Sequence, residues 1–137
     1  FFIGNNERLE FLGDAVLELI VTEFLFKEYG NPEGELTNWR SALVQGEHLA
    51  KVAVELKLGD YLFMSRGEEA SEGRKKPSTL ANAVEAVIGA IYLDLGYDAA
   101  RAFISEHLFP KIEIIIKNRL WQDAKSSLQE KDRIAVR

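Results

Sequence analysis

The stretch "NERLEFLGDAVLELI", residues 6–20, sets acids into an otherwise apolar helical pattern. Glu7, Glu10 and Asp14 stand at i, i+3 and i+7, so at about 100° per residue they share one stripe, and Glu18 follows one turn further on. Phe11 and Leu17 flank them, which implies that the carboxylates are partly removed from water. Like charges one turn apart on an exposed helix cost only about a few tenths of a kcal/mol per pair. Desolvation enlarges that repulsion. Protonation of one acid, a nearby arginine, or a hard divalent cation held by carboxylate oxygens can each relieve it.

The rest of the chain reads as further helices around this one. Leu9, Leu12, Val16, Leu19 and Ile20 recur on the side away from the acids and are expected in the core of a helix over 6–29, ended by Gly30, Asn31 and Pro32. A second helix is expected from an N-cap at Thr37 to about Lys57, with Leu43, Leu49, Ala50, Val52, Ala53 and Leu56 inward and Gly59 breaking it. The segment "SRGEEASEGRKK", 65–76, lacks an apolar period and reads as a surface loop. Ser78 or Thr79 can cap a third helix, "LANAVEAVIGAIYLDLG", whose nearly uniform apolarity places it in the middle of a bundle, closed by Gly96. A fourth, from about Asp98 to Leu120, carries Phe103, Ile104, Leu108, Ile112 and Ile115, and Pro110 should bend or split it. "SLQE" at 127–130 has capping-box spacing, and "RIAVR" is the one weak strand pattern. The expected class is all-α.

Composition limits the alternatives. A chain of 137 residues, 47% of them hydrophobic, suffices for one domain with a real core. Without cysteine there are no disulfides and no thiolate metal sites, which suits the cytoplasm. The longest apolar run, "AVIGAIYL" at 86–93, stops at Asp94, so no membrane association is expected. The opening "FFIGNNERLE" has neither an initiator methionine nor a signal-peptide layout and reads as a trimmed segment. A net charge of −5 argues against holding nucleic acid by bulk electrostatics, which leaves local patches such as Arg74, Lys75 and Lys76 in "GRKKPST".

A second polar stripe completes the candidate site. Asn82 and Glu85 stand at i, i+3 on the third helix, and Gly89 at i+7 on the same side lets another helix come close. The two stripes are expected to face each other. A helical di-iron centre would need Glu-x-x-His pairs, but His48 and His107 each directly follow a glutamate and read as helix-surface residues. No spacing matches Ser/His nucleophile chemistry or a phosphate-cradling glycine loop.

"ERLEFLGDAVLELI" resembles the signature motif of the ribonuclease III family, which cuts double-stranded RNA, and the likeness continues through "GELTNWRSALV", "LAKVAVELKLGDYL" and "RGEEASEGRKKPSTLANAVEAVIGAIYLDLG". It covers essentially residues 5–120, so 1–120 reads as the endonuclease domain. The resemblance implies an all-helical homodimer with two Mg²⁺-dependent sites, Mn²⁺ being able to substitute, and products with a 5′ phosphate and a 3′ hydroxyl. It assigns metal binding to Glu10, Asp14, Glu85 and the position of Asn82, with Asp14 and Glu85 catalytic and Glu7 a supporting acid. It places Phe11 at the dimer interface. Residues 121–137 would be a linker and the start of a double-stranded-RNA-binding domain, because "DAKSSLQE" resembles that domain's opening helix whereas "KDRIAVR" does not continue it.

One position departs from the family pattern. Where that pattern reads "ADAxEAxIGAIYLD", this chain has Asn82. An amide oxygen can accept a hydrogen bond or approach Mg²⁺ weakly, but it adds no charge and takes no proton. Weaker metal binding and impaired hydrolysis are therefore expected. The rival is a non-catalytic, ribosome-associated or RNA-binding relative. Arg40, Arg66, Arg74, Lys75 and Lys76 are the cations that can meet RNA phosphates, with duplex RNA read by shape and 2′-hydroxyl contacts.

Overall fold

The computed structural model describes residues 3–61 and 76–119. Among them every regular element is helical. Helix α1 (Ile3–Glu28) runs for 26 residues, about 39 Å, and ends just before the Gly30-Asn31-Pro32 stop. Val16, Leu17, Ile20, Val21 and Leu25 bury against the rest of the molecule. Leu19, expected in the core, is 56% exposed. It lies about 100° around the helix from buried Ile20, which takes it off the packed face.

The single helix expected over 37–57 is two. Helix α2 (Glu33–Leu43) begins directly after Pro32, whose extended backbone serves as the N-cap. Thr37 is therefore in mid-helix, where its carbonyl accepts a hydrogen bond from the Ser41 hydroxyl at 3.0 Å. The chain turns at Val44 and Gln45, and helix α3 (Gly46–Glu55) follows. Glycine in a helix interior costs about 1 kcal/mol, so Gly46 does better at the start of a new helix. The reversal that ends α3 is at Lys57, with φ 56°, two residues before Gly59. A 3₁₀ turn over Leu58–Tyr61 comes next.

Helix α4 (Pro77–Leu95) starts slightly ahead of the expected caps. Lys76 is its N-cap and Pro77 occupies the first turn, where a missing N–H costs nothing. Gly96, with φ 90°, closes it and opens helix α5 (Tyr97–His107). Pro110 splits the expected fourth helix: a 3₁₀ turn at Phe109–Lys111 separates α5 from helix α6, residues 112–119.

Helix α4 packs against α1, α3 and α5 and buries Leu80, Ala81, Val84 and Ile88. It is long and apolar enough to cross a membrane by length and composition, yet here those side chains form the core. Its last turn departs from the all-round burial expected, since Leu93 and Leu95 are exposed. At the far end of α1, Tyr29 meets Trp39 edge-on with centroids 5.3 Å apart and Phe24 stacks on Phe109 at 4.1 Å. Buried Trp39 thus joins α2 to α1, a role its sequence position did not reveal.

Neither histidine is the surface residue expected. His107 is partly covered against the Phe103 ring, and His48 is 9% exposed. Helix α3 lies with that face inward, between α4 and the segment that follows Pro110. The expected helix start at 127–130, the weak strand pattern and nearly all of the 65–76 loop lie outside the described residues.

Candidate functional site

The centre of the site is set by how closely α1 and α4 cross. A Cβ on Gly13 would collide with the Glu85 carbonyl oxygen, and one on Gly89 with the Leu9 carbonyl oxygen. Leu9 faces Gly89 while Gly13 faces Glu85, so the helices run antiparallel. Backbones this close leave the neighbouring side chains little choice of direction. Gly89 was legible as a close-approach position; Gly13, beside Asp14, was not singled out although a mid-helix glycine is itself the signal.

This crossing brings Glu85 from α4 against Asp14 and Glu10 from α1. Burial, a hydrogen bond to Asp14, and repulsion from Asp14 and then Glu10 push the Glu85 carboxyl up to about 8. A protonated Glu85 carboxyl donates to the Asp14 carboxylate. Glu10 is also raised, first by burial and then by Glu7. No arginine is among the groups acting on Glu85.

Glu7, Asp14, Glu18 and Asn82 are exposed, and Asn82 lies one turn before Glu85 on α4. Among the described residues no three acids or histidines converge into a closed metal-holding group. The donor chemistry nevertheless fits a hard divalent cation. Glu10, Asp14 and Glu85 offer only carboxylate oxygens, and the proton held between two of them is what a cation would replace.

The basic residues divide differently. Lys76 is exposed at the N-cap of α4. Arg40 is half-buried and donates to the Thr22 hydroxyl at 3.0 Å, which ties α2 to α1. Arg66, Arg74 and Lys75 lie outside the described residues. Phe11 is 83% exposed, and with Leu9, Leu12 and Leu93 it bounds an apolar hollow of about 570 Å³.

The described residues form an all-helical domain whose acids meet at a glycine-mediated helix crossing. Residues 3–112 match the family described as ribonuclease-III-like, and the chain belongs to it. It is similar to ribonuclease 3 of a Nitratiruptor species, at 50% identity over 92% of this chain and 56% of that protein. Ribonuclease 3 of Moorella thermoacetica is 48% identical over 93% of this chain and 54% of its own length. The chain thus spans about half the length of the curated relatives it matches.

Two solved structures of one relative share the fold. The nuclease domain of ribonuclease III from Campylobacter jejuni superposes with a TM-score of 0.71 at 48% identity, covering 74% of this chain and 75% of that chain. That structure is described as showing flexibility in a region involved in dimer formation. A second structure of the same domain gives 0.68 at 45% identity, over 83% and 73%.

Proposed function

We propose that this chain is the endonuclease domain of a ribonuclease III that hydrolyses double-stranded RNA with Mg²⁺, or Mn²⁺ in its place, leaving 5′-phosphate and 3′-hydroxyl ends. The observation that carries this reading is the close α1–α4 crossing, which sets Glu85 against Asp14 and Glu10 so that burial and their repulsion raise the Glu85 carboxyl. Glu10, Asp14 and Glu85 would hold the cation, with the amide oxygen of Asn82 beside them. When bound, a divalent cation supplies Lewis-acid stabilisation of the phosphodiester and of the leaving 3′ oxygen.

This chain's own residues do the rest. Asp14 and Glu85 would offer carboxylate oxygens to that cation, with Glu85 giving up its proton to do so. Glu7, on the exposed flank, deepens the negative potential that attracts a cation. Asn82 adds no charge, so hydrolysis is impaired relative to a chain with aspartate there. Lys76, at the start of the helix that carries Asn82 and Glu85, would meet a backbone phosphate. Arg40 is spent on Thr22.

The same reading makes the domain a cytoplasmic homodimer joined through exposed Phe11 and Leu93. Residues 121–137 are assigned to a linker and the start of a double-stranded-RNA-binding domain on the resemblance of "DAKSSLQE". Asn82 itself favours a second reading, a non-catalytic relative that keeps the fold to bind RNA.

Cleavage of a duplex RNA by this chain and by Asn82→Asp, with Mg²⁺ or Mn²⁺, tests both. Asn82→Asp should cut faster by roughly 10–100-fold. Equal rates would remove the argument about residue 82. Absence of cutting in both, with no heat of Mg²⁺ binding, would leave the non-catalytic reading.

A further inference from the structure

Away from the acidic centre, His48 on α3 is buried, and its Nε2 is sealed from water without a hydrogen-bond partner. A buried polar atom without a partner is rare and calls for an explanation. The closed packing admits a neutral imidazole. An imidazolium donates at both ring nitrogens, and at Nε2 it would meet neither an acceptor nor solvent.

The charges around the ring also oppose its protonation. Burial holds its pKa below 6.5, Lys111 of the 109–111 turn and Lys51 of α3 lower it further, and Glu55 of α3 pulls more weakly the other way. Glu47 adjoins His48 on α3, and Arg119 of α6 lines the same cavity. From α5, His107 acts on Glu55. No charged group of α4 is among those acting on the ring.

The two sides of α3 are held differently. It packs against α4, and its Val52 and Ala53 are wholly buried. Toward α6 there is instead an open polar cavity of about 400 Å³, bordered by Lys51 and His48 on one side and Ile115 and Asn118 on the other. The Lys111 ammonium bridges that side to Glu55 at 2.6 Å. Its hydrogen bond keeps the Glu55 carboxyl below the ordinary range, so this ion pair stays charged where a histidine titrates. We propose that His48 is the trigger of a pH-sensitive seam: when its ring takes up a proton, α6 and the 109–111 turn part from α3 to admit water, while the α3–α4 contact stays closed. The proton is taken more readily in the open form, where the ring has its ordinary affinity. The closed seam is therefore fully favoured above pH 6.5 and is lost as pH falls below that value. Helix α6 leads on to residues 120–137, so the anchoring of that continuation depends on pH.

Backbone hydrogen exchange of the whole chain in EDTA, corrected for the intrinsic pH dependence of exchange, reads the seam directly. Protection of the α6 amides should fall by up to about tenfold for each pH unit below 6.5, while amides at the α1–α4 crossing keep theirs. His48→Phe should flatten the α6 profile, and Lys51→Gln, by removing one opposing cation, should make the loss smaller. The chain has two histidines, and His107→Gln assigns their imidazole signals while leaving the α6 profile as in the parent. In the parent, the loss should level off at the His48 titration midpoint, because below it the closed and open forms both carry the proton. This reading does not require His48→Phe to fold. Protection of α6 that falls equally in His48→Phe, that stays constant while His48 titrates, or that is made constant by His107→Gln would overturn the seam.

Discussion

Gly13 and Gly89 face each other across the α1–α4 crossing: a Cβ on Gly13 would stand 3.0 Å from the Gly89 amide nitrogen, and one on Gly89 would stand 3.2 Å from the Gly13 amide nitrogen. Each glycine also lies against a carbonyl oxygen of the other helix, of Glu85 or Leu9. The contact is between backbones, which cannot swing aside as a side chain can. It therefore fixes how deeply Glu85 is pressed toward Asp14.

Gly13→Ala should accordingly be more costly than an ordinary helix glycine replacement, which would be favourable by propensity. Overpacking a tight contact costs typically about 1–3 kcal/mol, occasionally more, and here the clashing atoms are backbone, so about 3 kcal/mol is expected. Urea unfolding reads this. Because separation of the helices also relaxes the pair, Mg²⁺ should stabilise the Gly13→Ala chain less than the parent. A Gly13→Ala chain as stable as the parent would show that α1 and α4 do not approach this closely.

The raised Glu85 carboxyl makes stability depend on pH in a definite direction. Its ordinary value is 4.5 and its folded value about 8, so between those pH values the folded chain binds more protons than the unfolded one. Stability contributed by this group is thus complete below about 4.5 and lost as pH rises to about 8. Glu10, also raised, acts in the same sense. His48, lowered from 6.5, acts oppositely: its share is lost as pH falls below that value. Comparing the parent with Glu85→Gln isolates the carboxyl. The variant should match the parent near pH 5 and be more stable in metal-free buffer near pH 8, by roughly a few kcal/mol. Thermal melts in EDTA at the two pH values check this, and Mg²⁺ should narrow the difference by stabilising the parent.

Much of this was written in residue spacing. The Glu10–Asp14 and Asn82–Glu85 stripes are local patterns, and helical periodicity alone sends each to one face. Which stripe meets which depends on the crossing, and Gly89 gave half of that contact away. The helix starts were harder to read. Thr37, Ser78 and Thr79 are good capping types, yet Pro32 and Lys76 hold those places because Pro32 and Pro77 impose the extended-to-helical change on their own. Burial of His48 and exposure of Leu19 were not legible, since both depend on which side of a helix its neighbours cover. A metal ligand set was legible only as residue chemistry: Glu85 meets Asp14 and Glu10, with no closed group among the described residues.

Arg40 and Lys76 allow the proposed RNA contacts to be tested apart from stability. The Arg40 guanidinium donates to Thr22 between α2 and α1, so Arg40→Gln should cost about 1 kcal/mol of stability. It should leave the salt dependence of RNA binding unchanged. Lys76→Gln, by contrast, should leave stability within about 0.5 kcal/mol and reduce the salt slope by roughly one phosphate contact. Urea titrations and RNA binding in EDTA across a salt series read the two effects separately.

Phe11 gives the sharpest test of association, because in the single chain its ring gains almost nothing from folding. At 83% exposure it contributes little to the core, while Leu93 beside it is 66% exposed. If these side chains are covered by a second copy, Phe11→Ala removes interface contact without opening an internal cavity. Sedimentation should show weaker self-association, by about 2 kcal/mol or more for a buried aromatic anchor. Melting at concentrations low enough to keep both chains monomeric should differ by less than about 0.5 kcal/mol. Loss of monomer stability would instead place Phe11 within the fold, and unchanged sedimentation would move the dimer surface elsewhere on the molecule.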